Sequence, residues 1–425
     1  MGEARDKLLS GKRSCRGTEP MRTGFALALA LIAMAGLSVP ATGQQRDPFG
    51  GQFGAMELAM SPAEAAASAE KMGKALAALQ PQRKGVIDTY VVSASLWNDP
   101  VFENEAKEAG AILARHFDAE GRTIVLSAGT GSPTRTYPAA TPDNLQAALG
   151  KIGQLIDPNE DLVVVFLTSH GGPDGAVGLQ EKGRLSGALR PVNLRTSLAA
   201  AGIRNKVLII SACFSGNFIP AFFNDPNALV LTAAAADKTS FGCEPSRDFT
   251  YFGDAMFNHA MRGGQSLLDS YSEALGLISK WEDDLHAKWE AMPGTQRAQT
   301  AEPLPSNPQK NIGDSILPLV AKAEAYGDTV SCAGHLTFAL DRARSSRGLK
   351  DLTDPTAIKA ALATVEAKAI ALGAQVLHGQ PDVAKAIAAS TEVVNDTFPK
   401  GTLTVAEHAA ECLKSFSGGP VASAG

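Results

Sequence analysis

The sequence predicts an α/β protein of three layers, a mainly parallel sheet with flanking helices, followed by an all-helical C-terminal region. Three observations carry this prediction. Asp161–Thr168, Lys206–Ser211 and Ala228–Ala233 are continuous apolar runs, the pattern of strands covered on both faces. Helical blocks separate the strand-like runs, which calls for crossover connections and therefore parallel pairing. From about residue 320 to 417 the chain is Ala-rich, with helical periodicity and almost no strand signal.

The elements follow in order. Met21-Arg22 precedes a 14-residue apolar stretch from Gly24 to Leu37, and Ala41 and Gly43 set small residues at a cleavage position. Residues 1–43 thus read as a secretory signal peptide starting at Met21, and the protein as exported, periplasmic or secreted. The stretch falls short of the roughly 20 residues of a membrane span, so none is expected in the mature chain; an uncleaved anchor is the alternative. Residues 44–60 form a linker rich in Gly, Gln and Met. Ser61-Pro62-Ala63-Glu64 is a helix start, with Ser61 as N-cap and Pro62 first in the helix. From there to residue 315 strands at 86–92, 122–127, 161–168, 206–211 and 228–233 alternate with helices at 101–117, 141–155 and 194–202. Tyr271–Met292 is a long amphipathic helix. Pro303, Pro305 and Pro308 then break the chain, and residues 316–425 are the helical C-terminal region.

Composition narrows the function. Apolar residues make up 44% and charged residues 20%, with a formal net charge of -5 and no long Lys/Arg run, so no nucleic acid partner is expected. No phosphate-cradling Gly-rich loop with its lysine, no His-x-x-x-His and no Cys-x-x-Cys occurs, so no cofactor and no metal are expected. Five cysteines are present. Cys15 falls outside the mature chain, and the other four allow three full pairings. If Cys213 must stay a free thiol, a Cys332–Cys412 bridge would staple the helical region; four reduced cysteines are the alternative.

Two strands end in chemistry-bearing turns. The run at 161–168 leads into Thr168-Ser169-His170-Gly171-Gly172, and the run at 206–211 into Ser211-Ala212-Cys213-Phe214-Ser215-Gly216. In open parallel sheets functional groups gather beyond the carboxyl ends of the strands. A thiolate needs a nearby imidazole, and glycines let backbone N–H groups face a developing oxyanion. A buried structural thiol and a surface histidine are the bland readings of the same residues.

These motifs resemble those of the legumain-like cysteine peptidases, in their bacterial exported form, over about residues 84–262. The resemblance implies a caspase-type fold and a peptide or protein substrate cleaved through a thioester. It implies Cys213 as nucleophile, His170 as acid/base, and the amides of Gly171 and Cys213 as oxyanion hole. Leu231–Cys243 is similar to the segment lining the primary specificity pocket, with Thr239 and Ser240 on its wall, and Thr250-Tyr251-Phe252-Gly253-Asp254 is similar to the motif that puts an acid, Asp254, at its base. A helix N-terminal carboxylate is the other reading of Asp254. Ser211 stands at the pocket wall where those peptidases carry an acid. The Asn and Arg they place after the first strand have no match in Ser93–Asp99, leaving Ser93, Ser95 or Asn98 to orient His170. These departures keep open a catalytically silent caspase-fold protein that binds peptides or envelope partners, and, more weakly, a non-peptidase acyl hydrolase.

Overall fold

In the computed structural model the described residues are 56–57, 60–129, 136–181, 183–344, 354–398 and 402–416. The expected signal peptide and nearly all of the expected linker lie outside them. In the first half of the chain come β1 (Met56–Glu57), α1 (Pro62–Ala77), β2 (Thr89–Ser95), α2 (Pro100–His116), β3 (Thr123–Ser127), α3 (Pro142–Leu155) and β4 (Leu162–Thr168). Next are β5 (Val177–Glu181), β6 (Leu185–Leu189), α4 (Pro191–Ala200), β7 (Lys206–Ser211), α5 (Ile219–Phe222), β8 (Ala228–Thr232) and α6 (Tyr251–Gly253). The chain closes with α7 (Leu267–Glu290), α8 (Gly294–Arg297), β9 (Lys310–Ile312), α9 (Leu317–Arg344), α10 (Pro355–Gln375), α11 (Gln380–Thr397) and α12 (Thr402–Phe416).

Local chemistry sets the helix starts. Ser61 accepts from the Glu64 N–H while Glu64 accepts from the Ser61 N–H, the reciprocal cap expected from the sequence. Thr141 Oγ1 caps α3 through the Asn144 N–H, and prolines occupy the first turn of α1, α2, α3 and α4, where no N–H is needed.

Six strands make the main sheet in the order β3-β2-β4-β7-β8-β9, all parallel except β9, which runs against β8. This is the expected α/β fold, with its helical region α9–α12 behind it. Alternation along the strands explains the layers. Tyr90, Val92, Val163, Val165, Leu208 and Ile210 point to the face covered by α1, α3 and α4. Val91, Val164, Phe166, Val207 and Ile209 point to the face covered by α2, α7 and the start of α9. Both sides being apolar, the central strands read as unbroken hydrophobic runs. The hairpin β5–β6, joined by β1 into a small antiparallel sheet, and the edge strand β9 gave no signal in the sequence reading.

The C-terminal helices have a core of their own around Leu336, Ala339, Ile358, Val365 and Ala409. Cys332 of α9 and Cys412 of α12 form the expected disulfide, with Cα atoms 5.6 Å apart. Where α9 crosses α2, the buried His116 imidazole lies between two carboxylates, Glu324 at Nε2 and Asp328 at Nδ1, each 3.0 Å away. The Glu324 contact is a hydrogen bond, whereas Asp328 Oδ1 faces Nδ1 as an ion pair without hydrogen-bond geometry. Among the described residues no helix is long and apolar enough to cross a membrane.

Candidate active site

The site begins with strand register. β4 and β7 are parallel neighbours, and Thr168 pairs with Ser211 at their carboxyl ends. His170 and Cys213 each sit two residues beyond that pair, so both emerge at one end of the sheet from strands about 4.8 Å apart. The Ser169 N–H still donates to the Ser211 carbonyl, holding the two exits together.

Beyond that bond the loops touch. A Cβ on Gly171 would lie 1.8 Å from the Cys213 carbonyl oxygen and 3.1 Å from the Cys213 nitrogen, so only glycine permits the contact. Neither the Gly171 nor the Cys213 amide donates to any acceptor among the described residues, although their neighbours do: Gly172 to the Ala176 carbonyl and Phe214 to the Lys238 carbonyl. Two unspent, adjacent N–H groups are what an oxyanion requires. Phe214 takes a left-handed φ of 58°, a conformation costing a non-glycine residue about 1–2 kcal/mol. It is held there by the Lys238 carbonyl and by the Asn217 side chain, whose amide donates to the carbonyls of Phe214 and Ala236.

The Cys213 sulfur accepts from the Ser240 N–H at 3.3 Å and lies 3.7 Å from the Ser240 carbonyl and hydroxyl oxygens. The His170 imidazole stands edge-on to the rings of Trp97 and Phe102, with centroids 5.1 and 5.0 Å away. Its Nε2 meets the Asp99 carboxylate at 3.3 Å. Asp99 is the N-cap residue of α2 but makes no capping bond with its side chain, which is therefore free to reach the ring. Of the residues considered for this role, Ser93 donates to the Ala106 carbonyl and Ser95 to Ser127, both inside the core. Neither is spent on His170, and Asp99, overlooked in the sequence reading, takes the position beside it.

Thr239 is exposed and Ser240 half-buried on the strand exit that faces Cys213. Ser211 is buried, its hydroxyl 3.1 Å from Thr250 Oγ1. Beneath both lies Glu105 of α2, fully buried, accepting from the Thr250 N–H at 2.7 Å. Its Oε1 has no partner in hydrogen-bond geometry. Burial pushes the Glu105 carboxyl up, against the pull of Thr250, Ser211 and Thr168. Glu105 was also missed, although a signal existed: it falls on the apolar stripe Val101, Phe102, Ala106, Ala109 of α2. Asp254 accepts from Asn258 at 2.8 Å and pairs with Arg247 at 3.5 Å and His259 at 3.6 Å. It is thus joined to an arginine, which no strand-end motif had foreshadowed.

Residues 134–285 match the model of the Peptidase C13 family. That match, a little over a third of the chain, contains His170, Cys213 and Asp254. Among solved structures the chain is similar to caspase-1 from Spodoptera frugiperda, at 12% identity, a TM-score of 0.36, and coverage of 55% of this chain and 89% of that one. At that score it is a likeness and nothing more. No curated protein matches the chain.

Proposed function

We propose that this protein is a cysteine endopeptidase using a Cys213–His170 dyad. The carrying observation is the contact of the two strand exits, with the Gly171 backbone seated on Cys213 and both amides unspent. Cys213 Sγ attacks the scissile carbonyl, whose oxygen becomes an oxyanion between the amides of Gly171 and Cys213. His170, held through Nε2 by Asp99, protonates the departing amine and leaves a thioester. Water, or a second amine, then resolves the thioester with His170 as base. Thr239, Ser240 and Asp254 are assigned to the primary specificity pocket. Asp254 next to Arg247 offers an acceptor and a donor together, which suits a side-chain amide; the acid alone would suit a cation. Ser211 supports the pocket floor through Thr250.

The test is reaction of the chain with a thiol-reactive peptidyl probe, followed by cleavage profiling on a mixed peptide pool. Labelling at Cys213, with turnover lost in Cys213→Ala and His170→Ala, is the expected result. One observation favours a catalytically silent peptide-binding protein instead: the sulfur bonds Ser240 rather than the imidazole. A folded chain that binds the peptides yet leaves Cys213 unlabelled decides for that reading. Export follows as a proposal supported by the Cys332–Cys412 bridge, since such bonds persist in oxidising compartments. A mature N-terminus at Gln44 in the exported fraction is its check.

A further inference from the structure

Away from the candidate site, α2, the segment before α7, α9 and α11 enclose a cavity of about 370 Å³. That size lies within the roughly 300–1,000 Å³ of small-molecule sites. Its apolar wall includes Ile112, Met261, Val330 and Val394, and two arginines, Arg115 and Arg262, stand among them. The Arg115 side chain makes no hydrogen bond or ion pair with any described residue. Arg262 reaches Glu108 at 3.4 Å with Nη2, but its buried Nε has no partner. Burial, and then the charge of Arg262, make the protonated Arg115 less favourable than usual in spite of the attraction of Glu120 and Glu108, and burial does the same to Arg262 in spite of Glu108. Two like charges with unspent donors in a half-buried wall are costly unless an anion lies between them.

Most other charges at this wall are already engaged. Asp118 pairs with Arg83 and His378, Asp382 accepts from the Gly379 N–H, and His116 is held between Glu324 and Asp328. Glu120 and Lys385 are exposed. We propose that this cavity binds a small amphipathic carboxylate, its two oxygens on Arg115 and Arg262 and its alkyl body against Ile112, Met261, Val330 and Val394. Guanidinium forks match a planar two-oxygen anion. The nearby acids Asp118, Glu120 and Asp382 count against a dianion such as phosphate. A free fatty acid and an acylated or peptide C-terminal amino acid share this chemistry.

Calorimetric titration of the full chain with octanoate, N-acetyl-leucine, octylamine and inorganic phosphate tests it. Saturable one-to-one binding of a carboxylate is expected, with octylamine silent, and the tighter of the two carboxylates identifies the source. Arg115→Gln and Arg262→Gln should each weaken it by roughly 10- to 100-fold. Ala389→Trp, which fills the cavity from α11, should abolish it; that variant decides the matter if either arginine variant fails to fold. Absence of saturable carboxylate binding, phosphate binding as tightly as the carboxylates, or undiminished binding in the folded variants overturns the proposal. No turnover is needed, and Cys213→Ala is expected to bind equally, so this outcome is separate from that of the peptidase reading.

Discussion

Asp99 and Glu105 show what single side chains do at this site that their neighbours cannot. Asp99 reaches His170 Nε2 at 3.3 Å and makes no side-chain capping bond to its own helix, so in the proposed mechanism it orients the ring. Asp99→Ala should lower kcat by about 10²-fold with little change in KM, because a ring displaced by an ångström no longer meets the leaving amine. Asp99→Asn, which keeps a hydrogen-bond partner, should recover part of the loss. Glu105 acts on stability instead. Glu105→Ala strips the buried Thr250 N–H of its acceptor and should cost about 2–4 kcal/mol by urea unfolding. Its carboxyl is raised by burial above the usual 4.5, so the folded state holds a proton the unfolded chain has lost. The stability this contributes is complete below pH 4.5 and is lost as pH rises through the raised value, a decline that Glu105→Gln should flatten. The proposed dyad was marked in the sequence by local features, a His or Cys with glycines at the end of an apolar run. Asp99 was not, because the chain before α2 offers Ser93, Ser95, Asn98 and Asp99 within seven residues and only packing decides which one faces the ring.

At the scale of elements, the contact of α2 with α9 buries a charged cluster, His116 with Glu324 and Asp328. Burial opposes charge on His116, but Asp328 and Glu324 outweigh it and hold the imidazole pKa above its ordinary 6.5. Asp328 is pushed up as well, by burial and by the neighbouring Glu324. Both shifts mean that the folded state binds more protons than the unfolded one on the alkaline side of pH 6.5. The stabilisation from His116 is therefore full below pH 6.5 and fades as pH rises through the raised value. The urea midpoint should fall between pH 6.5 and 9, and the double variant His116→Gln/Asp328→Asn should flatten that fall; an unchanged slope would show that the cluster does not carry it. The helix α2 was visible as a stretch of its own, and α9 only as part of the helical C-terminal region. Their junction was not, since it joins residues more than 200 positions apart and no pattern within one helix names its partner. The β5–β6 hairpin and β9 were missed for a different reason: Leu185–Leu189 and Lys310–Ile312 are short and weakly apolar, and pairing rather than propensity makes them strands.

For the whole molecule, the change of composition at residue 316 is not a gap in packing. Ile316, Val320 and Ala323 belong to the core beneath the sheet, while Ala333, Leu336 and Ala339, further along the same helix, belong to the core of the C-terminal region. The described residues accordingly form one compact unit. A single rigid helix that supplies both cores couples their stability, because neither can open without exposing its share of α9. A chain ending at residue 315 would take Ile316, Val320 and Ala323 out of the core that also holds Phe257, Tyr271 and Ile278, and should be unstable and aggregate rather than fold as a free sheet domain. The disulfide tests the same coupling from the other end. It closes a loop with a separation of 80 residues, so replacing it in Cys332→Ser/Cys412→Ser should cost about 2–4 kcal/mol. If α9 transmits that loss, calorimetry will show one transition moved down in temperature, with Cys213 labelling by the peptidyl probe lost along the same curve. Two separated transitions, with labelling following only the upper one, would mean that the helical region opens alone and that the sheet and its candidate site stand without it.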